Sequence, residues 1–477
     1  MEIKKEVTAY KRALNNSSDV VVKEIITEGG NFALLYVDGM VQITEIDLGV
    51  VRPIVESKGN FPKTFEGVSS VITTVETLTA ERVRKNAAEK LAEGDTILIC
   101  EGASEYYVIS ARGYAKRTVA EPPTSAVIKG PREGFIEDLK TNMVLLRRRF
   151  SSGKIVFKSL KVGRYTNTNV QIVYLKGIVN MEIVKDIEKK LSKIDVDGVV
   201  DGSTVVAFLE KRHYSVFKQI GSTEKPDVVA GALLNGRVAI MVDGSPMVFT
   251  TPFVIMDDYF DAEDYFRRPI RASLVRFMRL FAVMAAVYLP SIFVALQTHQ
   301  YQILPIKLLI TIINSINGIP FTPIIEMLLA LVLFEVLGDA SVRMPRYLGM
   351  AISVVGGIIF GETAVKAGVL SSLTVLIVAV SSIGLYAMPD EVGVFSVVRI
   401  ALVVVSGALG IYGIIIVSIA MLAYMTSLEN YGVPYFAPFA PLLPPDLKNS
   451  VVICSATDAF MRPSYMNLKN KTRLKIK

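Results

Sequence analysis

The stretch that decides the fold class is "LVRFMRLFAVMAAVYLPSIFVAL", residues 274–296. An α-helix needs about 20 apolar residues to cross the hydrocarbon core of a bilayer, and this run is long enough. It therefore predicts a membrane-spanning helix. Further apolar runs follow at 321–338, 348–365, 372–388 and 394–425. Together they predict an α-helical multi-span membrane domain at 266–430, with four to six spans.

Two apolar runs leave the number of spans open. Residues 394–425 are interrupted by Arg399 and three glycines, and they fit either one long tilted helix or a hairpin of two helices. The run at 303–316 is short, so it could be re-entrant or lie in the interface. A hairpin at 394–425 gives six crossings, and four follow if some of the segments do not cross.

Basic residues predict the orientation of the chain, because cytoplasmic loops are enriched in Lys and Arg. Such residues cluster before the first span, between the second and third spans, and in the C-terminal tail. All three clusters are therefore predicted to be cytoplasmic, and both termini then lie on that side. The clusters contain Arg267, Arg268, Arg271, Arg276 and Arg279; Arg343 and Arg346; and Lys448, Arg462, Lys469, Lys471, Arg473, Lys475 and Lys477.

The composition favours a membrane protein and excludes several other classes. Of 477 residues, 51% are hydrophobic and 20% are charged, with a formal net charge of +7. Basic residues beside apolar runs indicate a membrane surface, and no aromatic-studded basic repeat supports nucleic-acid binding. The N-terminus has no apolar signal region, so the first half is expected to stay on the side where it was made.

The first half of the chain contains four related motifs that predict β-strands. They are "NFALLYVDGMV" (31–41), "DTILICEGAS" (95–104), "VQIVYLKGIV" (170–179) and "GRVAIMVDGSP" (236–246). Each is a short apolar run closed by an acidic or lysine residue and a glycine, which is typical of a strand that ends in a tight turn. Helical patterns such as "DIEKKLSKI" lie between them, so we expect two α/β subdomains.

Five regions are predicted from these patterns. Residues 1–120 form the first α/β subdomain, 121–160 a connecting amphipathic helix, and 161–265 the second α/β subdomain. The membrane domain at 266–430 is followed by a basic cytoplasmic C-terminal tail at 431–477. This tail begins with "YGVPYFAPFAPLLPP" (431–445), whose prolines exclude a regular helix.

The connecting region contains "VIKGPREGFIEDLKTNMVLLRRRF", residues 127–150. Its apolar residues recur on one helix face, Pro131 suits the first turn, and its charges match the helix dipole at both ends. We expect packing and subunit contact, with an anion-binding turn at residues 130–132 as the alternative. No GK[ST] follows, so it is not a Walker A loop. The apolar face comprises Phe135, Leu139, Met143, Leu146 and Phe150, and the candidate assembly or domain contacts are Arg132, Glu133, Arg147, Arg148 and Arg149.

Ionisable residues inside the apolar half are candidates for an ion pathway. Such groups are costly in hydrocarbon, so they face a bundle interior or water, or they pair and hold helices together. The candidates for the pathway are Glu326, Glu335 and Glu362. Glu326 and Glu335 are expected on opposite faces of one helix, whereas Glu362 and Lys366 are spaced for an intramembrane ion pair. A ring of carboxylates requires a cyclic oligomer.

Catalytic and metal-dependent functions find little support in the sequence. The cysteines are Cys100 and Cys454, and the histidines are His213 and His299. They form no CxxC motif and no histidine-rich cluster, so we expect no catalytic residues, no metal site and no cofactor.

Several motifs spread over nearly the whole chain resemble the A subunits of the GerA-type spore germination receptors. The resemblance is carried by "NNSSDVVVKEI" (15–25), the GPREGF-to-RRR stretch, "STEKPDVVAGALLNGRVAIMVDGSPMV" (222–248), "EDYFRRPI" (263–270), "GETAVKAGVLS" (361–371) and "YGVPYFAPFAP" (431–441). It implies a multi-pass protein of the spore inner membrane, with both termini on the cytoplasmic (core) side. The implied partners are a transporter-like B subunit and a lipoprotein C subunit.

The resemblance implies a nutrient-responsive subunit that forms a homo-oligomeric ring in the lipid bilayer and conducts monovalent cations. One alternative is a non-conducting signalling or scaffold subunit. Another is a paralogue like the stage V sporulation AF protein, which amplifies ion release. An enzyme is not expected, because the Gly-Pro-Arg-Glu-Gly turn and the Asp-Gly turns are better explained by backbone geometry.

Overall fold

The computed structural model describes residues 2–28, 30–57, 61–62, 64–72, 77–113, 130–259, 262–343, 357–358, 361–450, 452–453 and 461–473. The chain forms two compact units. The first, the sheet unit, comprises Met1–Val254, Asn430–Val433 and Ala456–Lys477. The second, the helix unit, comprises Ile255–Glu429 and Pro434–Ser455. The segment assigned to a C-terminal tail from the sequence is thus divided between the two units.

The sheet unit contains two five-stranded sheets with the same strand order. The order is β1-β2-β4-β5-β3 in the first sheet and β6-β7-β9-β10-β8 in the second, and all the paired strands are antiparallel. This confirms the prediction of an α/β region. The strands are β1 Val20–Thr27, β2 Gly30–Val37, β3 Thr77–Glu81, β4 Thr96–Cys100, β5 Tyr106–Ser110, β6 Ile155–Val162, β7 Thr168–Leu175, β8 Gly221–Thr223, β9 Val238–Val242 and β10 Val248–Thr251.

The four related sequence motifs are the central strands of these two sheets, β2 and β4 in the first and β7 and β9 in the second. The glycine that closes each motif has a positive φ, between +79° at Gly39 and +90° at Gly177. Glycine adopts this left-handed conformation without the steric cost that a Cβ brings. The repeated motif in the sequence therefore reflects a repeated fold.

Helices cover both faces of each sheet, because side chains alternate between the faces of a strand. In the first sheet, α1 and α5 pack on one face and α2 to α4 on the other. In the second, α7 and α8 cover one face, and α6 and α9 cover the other. The helices are α1 Ile3–Ala13, α2 Ile43–Ile46, α3 Arg52–Glu56, α4 Phe65–Val71, α5 Arg84–Glu93, α6 Leu139–Arg149, α7 Met181–Leu191, α8 Gly202–Leu209 and α9 Pro226–Leu234.

The helix unit is a bundle. Its longest helix, α11, packs against α14 and α15, and α13 packs against the same two helices. Their shared core includes Val294, Met327, Val378 and Val403. The helices are α10 Met256–Tyr259, α11 Pro269–Thr298, α12 Ile306–Ile316, α13 Pro323–Arg343, α14 Ser372–Leu385, α15 Val392–Leu409, α16 Ile411–Ser427 and α17 Pro444–Ser450.

Among the described residues, two helical stretches, Pro269–Thr298 and Pro389–Leu409, are long and apolar enough to cross a membrane. Ile306–Ile316, Ser372–Leu385 and Ile411–Ser427 are apolar but shorter. Helix α13 has 21 residues and carries Glu326, Glu335 and Asp339. The number of four to six spans therefore stays a prediction.

The apolar run at 394–425 forms two helices that meet at Gly410. This residue has φ +63° and ψ −145°, a conformation that is essentially restricted to glycine. The Gln300 side chain accepts a hydrogen bond from Ile411 N at 3.2 Å, and so satisfies one amide at the start of α16. The break between the helices thus has a local cause in the sequence.

Gly407 on α15 provides a test of the packing between α13 and α15. A Cβ at this position would lie 2.2 Å from Ile324 Cγ1. Gly407→Ala should therefore lower the free energy of unfolding by about 1–3 kcal/mol through overpacking. Thermal unfolding of the full chain in detergent, followed by far-ultraviolet circular dichroism, measures this effect.

Gly393→Ala on the same helix is the matched control, since a Cβ there has no neighbour within 4 Å. This change should leave stability unchanged or raise it by up to about 1 kcal/mol, because alanine favours a helix over glycine. Equal losses for the two variants would show that Gly407 has no special packing role.

Candidate functional site

The carboxylates predicted in the apolar half lie in three different environments. Glu335 on α13 is half exposed and faces Arg399 on α15, with 3.3 Å between Glu335 Oε2 and an Arg399 terminal nitrogen. Ser396 donates a hydrogen bond to the same carboxylate oxygen at 3.1 Å. This carboxylate therefore has a cationic partner on a neighbouring helix.

Arg399 is almost completely buried and joins several helices. Its other terminal nitrogen donates to Ser381 Oγ on α14 at 2.8 Å, and Ser381 in turn donates to the carbonyl of Ala286 on α11 at 2.6 Å. A buried arginine needs such partners, because an unpaired charge in an apolar interior is strongly unfavourable. The network links α11, α13, α14 and α15, which is a packing role.

Glu362 and Lys366 lie one helical turn apart, with 2.5 Å between Glu362 Oε1 and Lys366 Nζ. Their side chains are 60% and 73% exposed in this single chain. Pairs of this kind contribute little when they face water, on the order of 0–1 kcal/mol. Glu362 thus also has a cationic partner.

Glu326 differs from both, because it is completely buried and no cation pairs with it among the described residues. Its Oε1 accepts a hydrogen bond of 2.7 Å from the backbone N–H of Ser371. Ser371 is the N-cap of α14, and its hydroxyl accepts from Thr374 N at 3.2 Å. The carboxylate therefore lies at the positive end of the α14 dipole, which favours a negative charge.

The second oxygen of Glu326 is the unusual feature of this environment. Oε2 is buried and has no hydrogen-bond partner within the described parts of the chain. Its neighbours on α13 include Met327 and Ala330, which belong to the apolar core of the bundle. A buried acceptor without a partner costs roughly 1–3 kcal/mol, so its presence in an apolar bundle suggests a role other than packing.

The sheet unit contains the residues predicted as assembly or domain contacts. Helix α6, which carries three of them, begins later in the chain than the sequence predicted. Helix α6 starts at Leu139, so the placement of Pro131 in its first turn is wrong. Asp138 caps the helix by accepting from Thr141 N at 2.9 Å. The preceding residues are held outside the helix, because Phe135 N donates to Glu224 O at 2.7 Å. The predicted apolar residues nevertheless pack in one cluster on the second sheet.

Arg147 on α6 is buried and binds Asp19, which directly precedes β1 of the first sheet. Its Nε lies 2.9 Å from Asp19 Oδ2, and its guanidinium carbon lies 5.1 Å from the ring centre of Phe157 on β6 of the second sheet. Ser17 Oγ also accepts from this guanidinium at 3.2 Å. The side chain therefore joins the two sheets within one chain.

The remaining candidates for assembly or domain contact lie nearer the surface. Arg149 is 2.9 Å from Glu133, and Arg148 is 3.5 Å from the same carboxylate. Arg132 is exposed. The structure thus brings together Glu133, Arg148 and Arg149, while Arg147 belongs to a separate buried pair.

A buried ionic cluster at the start of α11 is not predicted by the sequence patterns. Arg276 Nε lies 2.9 Å from Asp264 Oδ2, and an Arg279 terminal nitrogen lies 3.3 Å from the same oxygen. The Tyr259 hydroxyl donates a hydrogen bond to the carbonyl of Arg276. Arg276 and Arg279 indicated orientation in the sequence, but their pairing with Asp264 depends on a 3₁₀ segment at Ala262–Phe266 that no spacing rule predicts.

Chemistry based on a metal cluster has no support in the part of the chain that the structure describes. Within it, no group of three or more His, Cys, Asp and Glu residues could hold a metal ion. The arrangement of side chains therefore points to charge placement inside a helix bundle and to ionic contacts between subdomains.

Comparisons with known proteins identify the family of this chain. A family model described as Bacillus/Clostridium GerA spore germination protein matches residues 8–465. Spore germination protein KA of Bacillus subtilis is 30% identical over 98% of this chain and 87% of that protein. Spore germination protein A1 of the same species is 33% identical over 79% of this chain and 81% of that protein.

The chain is also similar to a solved structure. It is the crystal structure of the N-terminal domain of the A subunit of a Bacillus megaterium spore germinant receptor, with 28% identity and a TM-score of 0.41. The match covers 52% of this chain and 94% of that one. The family match over nearly the whole chain and the two curated relatives confirm the resemblance seen in the sequence. The chain belongs to the GerA family of spore germination proteins, the family of the A-type receptor subunits.

Proposed function

We propose that this protein is a multi-pass subunit of a nutrient-responsive receptor in the spore inner membrane, and that its helix unit forms a cation pathway. In this proposal both termini lie on the cytoplasmic (core) side, and several copies form a ring. The ring acts with a transporter-like B subunit and a lipoprotein C subunit. Family membership and the apolar helices support the membrane receptor role.

The observation that carries the cation pathway is Oε2 of Glu326, which has no hydrogen-bond partner among the described residues. Because Glu326 is buried inside the helix unit of one chain, the proposed pathway passes through that unit, where a carboxylate can replace part of the hydration shell of the ion. A carboxylate that already has a cation beside it is less suited to this role. Glu335 has Arg399 and Glu362 has Lys366, whereas Glu326 contacts one backbone N–H and no cation in the part of the chain that the structure describes.

Glu326→Gln tests the proposal. Glutamine keeps the size of the side chain and an oxygen that can accept from Ser371 N, but it removes the negative charge. Even in a screened environment, a charge about 4 Å from a cation contributes several kcal/mol. We therefore expect potassium conductance to fall by at least about tenfold. The measurement is single-channel recording in planar bilayers with the assembled receptor.

Glu362→Gln is the matched control, because it also neutralises one glutamate of the helix unit but at an exposed, paired position. Its conductance should equal that of the unmodified protein. Unchanged conductance in Glu326→Gln would contradict the role proposed for Glu326, provided that circular dichroism shows both variants to be folded.

The second candidate function is a signalling subunit without a pore, and one observation favours it. The sheet unit holds segments that follow the membrane helices in sequence: Asn430 donates to Thr251 Oγ1 at 3.3 Å, and Arg462 donates to the carbonyl of Leu234 at 2.8 Å. Such contacts could relay the state of a partner. An assembled receptor that responds to nutrient without any conductance through this subunit would favour this candidate.

A paralogous role, like that of the stage V sporulation AF protein, makes a different prediction. Such a subunit would amplify ion release that other receptors begin. Deletion of the gene would then slow germination with every nutrient, whereas deletion of a receptor subunit would abolish the response to one nutrient only. The proposal includes no enzymatic activity.

A further inference from the structure

Helix α11 carries a proline in its interior. Pro290 is buried, and the helix continues after it to Thr298. Proline has no backbone N–H, so it cannot donate to the carbonyl four residues earlier, and its ring crowds that carbonyl. The carbonyl concerned is that of Ala286, which is completely buried. A buried carbonyl without a donor is unfavourable in an apolar bundle, so this one needs a donor from a neighbouring element.

That donor is a serine on α14. Ser381 Oγ lies 2.6 Å from the carbonyl oxygen of Ala286 and donates a hydrogen bond to it. Both residues are completely buried. Gly384, one turn further along α14, allows the two helices to come this close, because a Cβ there would lie 2.7 Å from the carbonyl oxygen of Ala282. The half of α11 before Pro290 is therefore held tightly against α14.

The Ser381 hydroxyl also accepts a hydrogen bond, and in this way it connects the proline to a partly exposed carboxylate. Arg399 on α15 donates to Ser381 Oγ at 2.8 Å, and it lies 3.3 Å from Glu335 Oε2 on α13. Arg399 and Ser381 are buried, whereas the Glu335 side chain is 46% exposed. A chain of polar contacts therefore runs from the surface of the helix unit to the point of α11 that lacks a helical hydrogen bond.

Arg399 is held less completely than another buried arginine of the same chain. Its 3.3 Å distance to Glu335 is longer than the roughly 2.7–2.9 Å of a charge-assisted hydrogen bond, and its Nε has no partner among the described residues. Arg147, by contrast, reaches Asp19 through Nε at 2.9 Å and through a terminal nitrogen at 2.7 Å. The Arg399 guanidinium therefore keeps donor capacity for a second arrangement.

We infer that Pro290 is a hinge in α11 and that Ser381 is its latch, the contact that holds the hinge in the position seen here. Arg399 and Glu335 keep the latch closed. When the Ser381 hydroxyl turns away, the carbonyl of Ala286 has no donor, and the segment after Pro290 can bend, as long helices do at proline. The inference concerns the motion of one helix, so it goes beyond the proposed function and does not rest on cation passage.

Ser381→Ala opens the latch without any ligand. It leaves the carbonyl of Ala286 without a donor, which shifts the equilibrium toward a bent helix by roughly 5- to 150-fold. Spin labels on cysteines at Ile383 and His299, both exposed, report the change by pulsed electron paramagnetic resonance of the full chain in detergent. His299 lies nine residues beyond Pro290, so a kink of about 20° displaces it by about 5 Å. We expect the distance distribution to shift or broaden on this scale.

A rescue variant distinguishes a latch from an ordinary packing contact. In Pro290→Ala with Ser381→Ala, residue 290 regains its N–H and donates to the carbonyl of Ala286 within the helix. The distance distribution should therefore return to that of the unmodified protein. Ser406→Ala is the matched control, because Ser406 is also buried but donates to the carbonyl of Val403 on its own helix. This control should leave the distribution unchanged.

A second pair of labels tests whether the change is confined to the segment after the hinge. Ile383 and Ile270 span only the half of α11 before Pro290, and Ile270 is 88% exposed. The distance between these labels should be the same in every variant. All labels are introduced in a Cys454→Ser background, and the other cysteine, Cys100, is buried.

Potassium conductance of the assembled receptor, recorded without nutrient, relates the hinge to the proposed cation pathway. Ser381→Ala should raise this resting conductance at least about fivefold, and the added Pro290→Ala should lower it again. A changed distance without a changed conductance would contradict only the cation pathway, because the distance measurement does not depend on ion passage.

Three results would overturn the inference. They are an unchanged distance distribution in Ser381→Ala, an equal change in Ser406→Ala, and a change in Ser381→Ala that Pro290→Ala does not reverse. If Ser381→Ala does not fold by itself, the hinge still predicts that the double variant with Pro290→Ala folds. Failure of both variants to fold would contradict the inference.

Discussion

Replacing Arg147 with alanine should lower the free energy of unfolding of the sheet unit by about 3–5 kcal/mol, because the buried carboxylate of Asp19 loses its cation. Ser17 and Phe157 lose contacts with the same guanidinium. Hydrogen–deuterium exchange of the full chain measures the effect, and we expect amides of β1 and β6 to exchange roughly a hundredfold faster or more.

The neighbouring arginine provides the matched control for this prediction. Arg148 is on the same helix, but its side chain is 41% exposed and 3.5 Å from Glu133. Arg148→Ala should therefore cost less than about 1 kcal/mol. A similar increase in amide exchange rates in both variants would contradict the proposal that Arg147 joins the two sheets.

A double substitution tests whether the loss of stability comes from an unpaired buried charge or from the lost hydrogen bonds of the guanidinium. In Arg147→Met with Asp19→Leu, no buried charge remains, and a well-packed apolar pair can be as stable as an ion pair. We expect this variant to recover most of the stability that Arg147→Ala loses. Failure to recover would indicate that the guanidinium hydrogen bonds, rather than charge burial, determine the loss.

Replacing Asp264 with alanine should have an effect of similar size in the helix unit. Asp264 is the carboxylate that pairs with both Arg276, which has no exposed side-chain surface, and Arg279. Its removal takes the carboxylate away from a fully buried guanidinium, which costs about 3–5 kcal/mol. For a unit of this size we expect the midpoint of thermal unfolding to fall by about 10 °C or more.

An exposed pair in the same unit controls for the general effect of removing an aspartate. Asp339 pairs with Arg343 at 2.8 Å, but these side chains are 64% and 77% exposed. Asp339→Ala should shift the midpoint by no more than about 3 °C. Both variants are compared in detergent by circular dichroism at equal protein concentration, and equal shifts would contradict the role of Asp264.

The position of Asp264 also affects how Arg276 and Arg279 are interpreted as indicators of the orientation of the chain in the membrane. Arg276 and Arg279 belong to the basic cluster before the first predicted span, yet both contact one buried carboxylate. Acidic residues contribute little to the orientation rule, so the predicted orientation is unaffected. The structural role of these arginines, however, differs from that of freely solvated cations.

Local patterns in the sequence predicted the main elements because those patterns have local causes. Apolar runs with closing glycines identified β2, β4, β7 and β9, since a strand end followed by a positive φ needs glycine at that position. The break near Gly410 was visible as an interruption of the apolar run. The late start of α6 was missed, because its cause is a bond from Phe135 N to the distant Glu224.

The roles of the candidate glutamates could not be separated by sequence alone. Glu326, Glu335 and Glu362 all stand in apolar surroundings along the chain. Only Glu362 has its partner within one helical turn, which a spacing rule can find. The partner of Glu335 is Arg399, and that of Glu326 is the amide of Ser371, both on other helices.

The sequence by itself determined the family, the α/β and helical character of the two regions, and the presence of charges in an apolar segment. These properties depend on residue type and on spacing along a single element, and both can be read directly from the sequence. Tertiary structure alone decided which charges are paired: Arg147 with Asp19, Arg276 with Asp264, Arg399 with Glu335. Such pairing depends on distances between elements far apart in the chain, and burial then determines how much each pair contributes.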